Sequence, residues 1–448
     1  MPADESIGRA VAAAVSRHRV RAAILGGLVF SLGVGVVAAC GSDSEVGAPV
    51  TVNDAGTDRG PIVTPPTVHV PVAIAAGGRQ ACAMMDDGRM FCWGSNGYGQ
   101  LGNPQTTMLP DGGQDFDGRS VPFPSLASVS NVKQLSTMGA RIDEGYEVRA
   151  TCAVSADAQA LCWGSNQFGG LGRGKADRDP HPEALPVSDL GPVEQIVTSG
   201  GASCAVTGGR AQCWGYNNHW NDAGESEYGV AKDRNVPGIV GTVRQIALGD
   251  YHGCILTTYG GVDCWGIYND QQGIESVPFA NNARVQALAA GRQTTCALMA
   301  AGGVQCFGSN GFDSLLGRGP VTGPIEQLTP GPVLLPTDKA LAVQVVVSND
   351  HACALLDDGT VWCWGKNYSG ALGSGQSNGV SVKPDESATP LQVEDLPGKP
   401  TSIAAGTGFT CALLSDGKVV CWGDNSWGTL GQGTFDEVPH LTPVRVPL

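Results

Sequence analysis

The chain repeats, in seven variants, the stretch Cys82-Ala-Met-Met-Asp-Asp-Gly-Arg-Met-Phe-Cys92-Trp93-Gly94-Ser-Asn96. Each copy holds two cysteines, followed by an aromatic residue and a glycine. The later copies begin at Cys152, Cys204, Cys254, Cys296, Cys353 and Cys411. A unit repeated at about this interval cannot bury its own apolar face. The copies are therefore expected to stack on one another as a single array.

The spacing of the two cysteines predicts a β-hairpin in every copy. The hairpin of the first copy turns at Asp86-Asp87-Gly88, whose third position suits a residue with positive φ. Five copies place glycine there, and the copy at Cys152 places Ala158. The copy at Cys204 is one residue shorter and turns at Gly208-Gly209, another favoured hairpin turn. The cysteines thus keep their register when the turn changes length.

In this register the cysteines of a hairpin face each other at a non-hydrogen-bonded position, where Cα atoms lie about 4.5 Å apart. That distance is within the range of a disulfide. Zinc sites use cysteines two to four residues apart, so we expect no metal, and free buried thiols are the remaining alternative. We predict seven disulfides: Cys82–Cys92, Cys152–Cys162, Cys204–Cys213, Cys254–Cys264, Cys296–Cys306, Cys353–Cys363 and Cys411–Cys421.

The fifteenth cysteine, Cys40, ends a predicted targeting segment. Four arginines between residues 9 and 21 precede an apolar stretch over residues 22–37. The stretch ends in Val37-Ala38-Ala39-Cys40, which resembles the lipobox of bacterial lipoproteins. That resemblance implies that Cys40 is diacylated and becomes the mature N-terminus. An ordinary signal peptide and a single membrane anchor are the alternatives, although the stretch is short for a spanning helix.

Three regions follow from these boundaries. Residues 1–39 are predicted to be a lipoprotein signal peptide, and residues 40–67, rich in Gly, Pro and Asp, a flexible tether. Residues 68–448 hold the repeats. The expected location is the cell envelope, and Gly41-Ser42 favours the outer membrane because retention in the inner membrane usually involves Asp there.

Composition limits the partners. The net charge of −15 repels nucleic acid and anionic lipid headgroups, so we expect no nucleic-acid partner and contact with the membrane only through the lipid anchor. The 65 glycines recur at fixed places in the repeats, which indicates turns.

Each hairpin lies between two further strand candidates. An apolar run such as Val243-Arg-Gln-Ile-Ala-Leu-Gly249 precedes it, and we interpret these runs as buried strands without a polar face. A turn such as Asn96-Gly-Tyr98-Gly99-Gln-Leu101-Gly102 follows it and leads to a short strand flanked by proline. Four short strands per repeat predict an all-β protein, a seven-bladed β-propeller of four-stranded blades. The last strand, near Pro443, is expected to join the first blade or to lie beside it.

These strings resemble the repeat of the regulator of chromosome condensation family, over about residues 68–448. The resemblance implies a seven-bladed propeller, and the cysteine pairs resemble an exported bacterial version of the repeat. Two copies depart from the pattern: residues 204–238 lack the Gly-x-Leu-Gly turn, and Phe307 replaces tryptophan. Some members of the family catalyse guanine-nucleotide exchange, but no residue here can be matched to that activity.

We find no catalytic constellation and expect no cofactor. His252 and His351 occupy one equivalent slot, where the family resemblance implies that histidine ties loops of neighbouring blades together. The Asp-Asp-Gly triplets lack the alternating oxygen ligands of a calcium loop.

Function is expected in the loops between strands, since propellers present rigid loops on two faces. The repeats differ in length mainly in segments 103–120, 139–149, 216–230, 311–330 and 374–388. His219, Trp220 and Tyr228, in a polar loop, are candidate interaction residues, and Trp220 could equally be a lid over a blade. We predict a monomeric binding or scaffold propeller with an unidentified protein partner, not an enzyme. The alternatives are an inhibitor of an extracellular enzyme, as in one secreted propeller of the family that inhibits β-lactamase, and a lyase or hydrolase with a site in the central channel.

Lipidation of Cys40 is directly testable. Mass spectrometry of the mature N-terminus is expected to find a diacylglyceryl cysteine, and Cys40→Ser should leave the protein without lipid. Cleavage at another residue, or an uncleaved apolar segment, would contradict the lipobox assignment.

Overall fold

The computed structural model describes residues 69–104, 120–142, 146–199, 201–215, 232–233, 242–266, 275–280, 283–309, 314–320, 326–375 and 385–448. These residues form 28 strands in seven four-stranded antiparallel sheets. Each sheet takes four strands that are consecutive in the chain, so every repeat is one blade. The predicted seven-bladed all-β propeller is confirmed.

The strands have the following bounds. Blade 1 contains β1 Pro71–Gly77, β2 Gln80–Met85, β3 Met90–Ser95 and β4 Ser120–Leu126. Blade 2 contains β5 Val132–Ile142, β6 Tyr146–Ser155, β7 Ala160–Ser165 and β8 Pro180–Pro186. Blade 3 contains β9 Gln195–Ser199, β10 Ala202–Thr207, β11 Arg210–Gly215 and β12 Lys232–Asp233. Blade 4 contains β13 Val243–Leu248, β14 His252–Thr257, β15 Val262–Gly266 and β16 Glu275–Ser276.

The remaining three blades follow the same order. Blade 5 contains β17 Val285–Ala290, β18 Thr294–Met299, β19 Val304–Ser309 and β20 Glu326–Pro332. Blade 6 contains β21 Ala342–Val347, β22 His351–Leu356, β23 Val361–Lys366 and β24 Glu386–Gln392. Blade 7 contains β25 Pro400–Gly406, β26 Phe409–Leu414, β27 Val419–Asn425 and β28 Asp436–Arg445.

The first strand of each blade lies innermost, and these strands together line a central channel. We call the face that carries the turns from first to second strand and from third to fourth strand the upper face. The lower face carries the hairpin turns between second and third strands and the connections between blades. Along the chain, each variable segment falls between two strands whose connected ends lie at the upper face, or extends into those strands.

The paired cysteines face each other across the second and third strands, and seven disulfides join them with Cα atoms 4.0–4.2 Å apart. These are the pairs that the hairpin register predicts. Gly88 turns the first hairpin with a φ of 81°, and Gly208 and Gly209 turn the short hairpin with φ of 56° and 71°. Ala158 adopts the same left-handed conformation at φ 65°. The turn chemistry thus fixes which cysteines meet.

The motif tryptophans join neighbouring blades. Five buried indoles donate Nε1–H to a backbone carbonyl of the preceding blade, at the residue before leucine in its Gly-x-Leu-Gly turn or the equivalent turn. The five bonds are Trp93 to Thr429, Trp163 to Gln100, Trp214 to Gly170, Trp364 to Leu315 and Trp422 to Ala371, at 2.8–2.9 Å. Five of the seven blades are therefore each completed by the blade before them.

The ring closes without strand exchange, because β28 is the outer strand of blade 7 and β1 begins blade 1. The expectation that the last strand lies beside the first blade is confirmed. Trp93 donates across this seam to Thr429, 336 residues away. Val446, 2% exposed, packs in one cluster with Ala81 and Trp93.

Segment 139–149 differs from the expectation of a loop. Strands β5 and β6 stay paired from Gly139 with Arg149 up to Ile142 with Tyr146, whereas the third strand pairs with β6 only from Ala150 onward. The segment is therefore a two-stranded ribbon that extends beyond the blade on the upper face. In this segment the alternation of apolar and polar residues was too short, and the residues were too polar, for the sequence to indicate a strand.

Deleting residues 441–448 tests the closure. The deletion removes the pairing of Cys421 with Val444 and the buried Val446, whose side chain alone stabilises the fold by about 1.5–3 kcal/mol. Thermal melts should show a large loss of stability, and deletion of residues 41–60 should change the melting temperature little. Equal shifts for the two deletions would contradict this closure.

Candidate functional site

The upper face gathers aromatic side chains beside the turn glycines. Tyr98, Phe168 and Trp427 occupy equivalent positions in the turns that follow the third strands of blades 1, 2 and 7. Phe168 lies against Gly201 in the first turn of the next blade. Tyr368, in the corresponding turn of blade 6, is 62% exposed. The aromatic residues thus extend from the turns of one blade toward the next.

Trp427 contacts two guanidinium groups at the seam of the ring. The Cζ atom of Arg79 lies 4.3 Å from the centre of the indole, and that of Arg149 lies 5.3 Å from it. Arg149, at the base of the ribbon, is 5% exposed and donates Nη1–H to Ser95. Stacked cations and aromatic rings of this kind hold loops in a fixed arrangement.

The predicted interaction residues His219, Trp220 and Tyr228 lie outside the described residues, as does Cys40. Their roles stay predictions.

His252 and His351 both tie neighbouring blades together, as the family resemblance implies. His252 Nε2 lies 2.7 Å from Thr295 Oγ1 of the next blade, and His351 Nε2 lies 2.7 Å from Thr410 Oγ1. Gln80 occupies the same slot in blade 1 and donates to Thr151 at 2.6 Å. Both imidazoles are fully buried, and burial lowers the pKa of His252 to about 3 against an opposing backbone hydrogen bond with Arg292.

Ser348, Asp350 and His351 form a cluster that contains the residue types of a hydrolase triad. Ser348 Oγ and Asp350 Oδ1 both contact the same nitrogen, His351 Nδ1, at 2.9 and 3.0 Å. A triad needs the serine and the carboxylate on opposite ring nitrogens, so that the imidazole can move a proton between them. Here the other nitrogen faces Thr410 in the buried contact between blades. The cluster is arranged to hold a turn, not to activate a nucleophile.

Asp250 and Asp350 lie in turns of the upper face but differ in electrostatics. Burial raises the pKa of Asp250 to about 7, although a hydrogen bond from Ser199 and the charge of Arg292 oppose it. Burial also acts to raise the pKa of Asp350. Hydrogen bonds from His351, Ser348 and the Gly408 N–H outweigh it and hold that pKa below its usual range.

The central channel contains a cavity of about 270 Å³ lined mainly by alanine, valine, leucine and isoleucine. Glutamines of the innermost strands bridge neighbouring blades along its wall. Each glutamine side chain binds the backbone of one residue in the next blade. Its Nε2–H donates to the carbonyl of that residue, and its Oε1 accepts the N–H of that residue. The four pairs are Gln134 with Ile196, Gln195 with Ile246, Gln245 with Leu288 and Gln344 with Ile403, at 2.7–3.2 Å.

We call these four contacts glutamine clamps. The sequence analysis missed them because it interpreted the apolar runs as strands without a polar face. The available signal was a glutamine at the third position of Val132-Lys-Gln, Val193-Glu-Gln, Val243-Arg-Gln and Ala342-Val-Gln.

Two arginines that directly follow a Leu-Gly turn, at Leu171-Gly172 and at Leu316-Gly317, were also missed. The Arg173 guanidinium donates to the carbonyls of Cys162 and Glu183 at 3.0 and 2.9 Å. It bridges the third and fourth strands where a bulge interrupts their pairing. Arg318 makes the same bridge in blade 5, to Cys306 and Thr329.

Within the described ranges, one group of side chains could gather around a cation: His69, Asp86 and Asp87 at the lower face. Arg89 Nε lies 2.5 Å from Asp87 Oδ2, so a cation already occupies one of these carboxylates. In the same part of the chain, no helix is long and apolar enough to cross a membrane.

The seven four-stranded blades, each with one disulfide, define a disulfide-bonded seven-bladed β-propeller. The sequence matches the Regulator of chromosome condensation (RCC1) repeat at residues 72–100, 243–273, 285–313, 342–371 and 401–432, and a second description of this repeat at 87–136 and 358–413. The chain belongs to the RCC1 repeat family. Residues 137–242 match neither description, yet the structure forms blades 2 and 3 there.

Two relatives illustrate the range of this family. The Ultraviolet-B receptor UVR8 of Arabidopsis thaliana is 26% identical over 63% of this chain and 64% of its own length. The human E3 ubiquitin-protein ligase HERC2 is 25% identical over 78% of this chain, but this is 7% of its own length. The chain thus spans less than two thirds of either relative.

The fold is shared with Prp20p from Saccharomyces cerevisiae, at a TM-score of 0.65 and 18% identity, over 85% of this chain and 87% of that chain. This likeness shows the fold, and a shared fold does not by itself fix a function.

The two aspartates predict opposite effects of pH on stability. The raised pKa of Asp250 means that the native protein binds a proton more tightly than the unfolded chain does, so stability falls as pH rises from about 4 to about 7. The lowered pKa of Asp350 contributes stability above about pH 4 that is lost as pH falls. Urea unfolding at pH 4–8 should therefore show Asp250→Asn gaining stability relative to wild type as pH rises.

Asp350→Asn is the matched comparison and should be less stable than wild type at pH 7, with a smaller deficit at low pH. The same pH dependence in both variants would contradict the assigned environments.

Proposed function

We propose that the protein is a lipid-anchored propeller of the cell envelope that binds a protein partner through its upper face. Residues 1–39 would direct export, Cys40 would carry the lipid, residues 40–67 would form the tether, and residues 68–448 would bind as a monomer. The single observation that carries the binding role is that the ribbon and the aromatic side chains Tyr98, Phe168, Tyr368 and Trp427 share one face of the ring.

The disulfides support an extracytoplasmic location. Seven bridges buried between strands indicate an oxidising environment, because thiols in reducing compartments stay unpaired. The anchor rests on the lipobox, and the choice of the outer membrane rests on Gly41-Ser42.

The surface chemistry supports binding. Interfaces between proteins are enriched in aromatic residues and arginine, and a few of these supply most of the affinity. The upper face offers Trp427 stacked with Arg79, together with the exposed Tyr368. If the partner is an extracellular enzyme, occupation of its active site by these turns would make the protein an inhibitor.

Two exposed tyrosines on opposite faces provide a matched test. Tyr368 lies on the upper face and is 62% exposed, and Tyr259 lies in a hairpin turn of the lower face and is 74% exposed. Capture of partners from envelope extracts on the immobilised protein should fall about tenfold for Tyr368→Ala, as expected for loss of an aromatic anchor. Tyr259→Ala should bind as wild type does.

Both substitutions should leave the melting temperature unchanged because neither side chain is packed in the core. A partner whose recovery depends on Tyr259 and not on Tyr368 would contradict binding through the upper face.

A further inference from the structure

The glutamine clamps are present at four of the seven junctions between innermost strands. The other three junctions carry a residue too short to bridge: Ala73 in blade 1, Ala287 in blade 5 and Ser402 in blade 7. Their strand pairing shows that they are equivalent to the glutamines, since Ala73 pairs with Met84 two residues after Cys82, as Gln134 pairs with Val154 two residues after Cys152.

If these three residues were glutamines, position 73 would clamp Leu135, position 287 would clamp Val345, and position 402 would clamp Ile74. These three residues have the same place in the ladder as the clamped residues, as Ile74 pairs with Ala83 just as Ile196 pairs with Ala205. The backbone N–H and C=O of Ile74 and Leu135 therefore point away from their own sheet. Within the described part of the chain, no side chain bonds to them.

Two of the three open positions lie together in the channel. Ile74 and Leu135 belong to adjacent blades, and both line the cavity, whereas Val345 does not. Thr137, two residues beyond Leu135, also lines it. Thr137 is 6% exposed, and its hydroxyl makes no hydrogen bond within the described part of the chain. This wall of the channel thus combines two open peptide groups with a buried hydroxyl.

An N–H and a C=O of one residue that both lack a side-chain partner favour a group that can donate and accept at one place. The other junctions show which group fits, since a carboxamide there meets N–H and C=O of one residue together. No charged side chain lines the cavity among the described residues, so a carboxylate or an ammonium would be buried without a counter-ion.

We propose that the channel wall of blades 1 and 2 is a binding site for uncharged primary carboxamides, each of which takes the place of one missing glutamine clamp, at Ile74 or at Leu135. The apolar remainder of the cavity would hold a short aliphatic chain attached to the amide. The carboxamide could belong to a small molecule or to a glutamine side chain inserted by a peptide loop. This site is separate from the binding face of the proposed function and does not depend on it.

The test uses calorimetric titration of the full chain with hexanamide and, separately, with the peptide acetyl-Gly-Gln-Gly-N-methylamide. Hexanoate and acetyl-Gly-Leu-Gly-N-methylamide, which contain no primary carboxamide, are the respective controls. The double variant Ala73→Gln/Ser402→Gln supplies both missing clamps from the protein itself. It should bind the amide probe about tenfold or more weakly than wild type, and its melting temperature should rise.

Ala287→Gln is the matched variant, because it fills the junction at Val345, which does not line the cavity. It should bind as wild type does. Saturable binding of hexanamide supports a small-molecule ligand, and binding of the glutamine peptide alone supports an inserted side chain. The proposal is overturned if neither probe binds, if the controls bind equally well, or if the double variant binds as tightly as wild type.

Discussion

The structure depends on a hydrogen bond made between blades: a buried indole N–H donates to the turn carbonyl of the blade before it. A four-stranded sheet of short strands is marginal alone, and its tryptophan would be exposed on one side without a neighbour. The same bond that joins Trp163 to Gln100 inside the array joins Trp93 to Thr429 across the seam. The ring is thus held at its ends by the contact that joins four other pairs of neighbouring blades.

The disulfides stabilise the individual hairpins, and the contacts between blades stabilise the ring. Each disulfide stabilises one hairpin against local opening, and each closes only nine or ten residues, so its contribution is about 2–3 kcal/mol and depends on the model used. Indoles, imidazoles and glutamine amides then connect the blades. Because these contacts come from the strands and the turns at their ends, the remaining turn segments of the upper face are free to vary. A binding function can therefore differ between related propellers without a change in the ring.

Much of this could be predicted from the sequence because it is local. The register of Cys82 with Cys92 follows from the turn between them, and the number of blades follows from the number of copies. The partners of side chains between blades could not be predicted in the same way. Gln134 and Ile196 are 62 residues apart, and only the curvature of the ring brings them together. Likewise, nothing in a single copy indicates that Arg173 bridges two strands of its blade. The candidate residues near Trp220 lie outside the described residues, so the aromatic residues of the upper face now carry the binding hypothesis.

Hydrogen exchange of the indole N–H protons, measured by NMR on the intact protein, tests the central role of the contacts between blades. The account predicts that the indole protons of Trp93, Trp163, Trp214, Trp364 and Trp422 exchange slowly and at similar rates, because opening any junction disrupts the whole ring. Fast exchange at Trp93 alone would contradict it, since that result would mean that the seam opens independently of the other junctions.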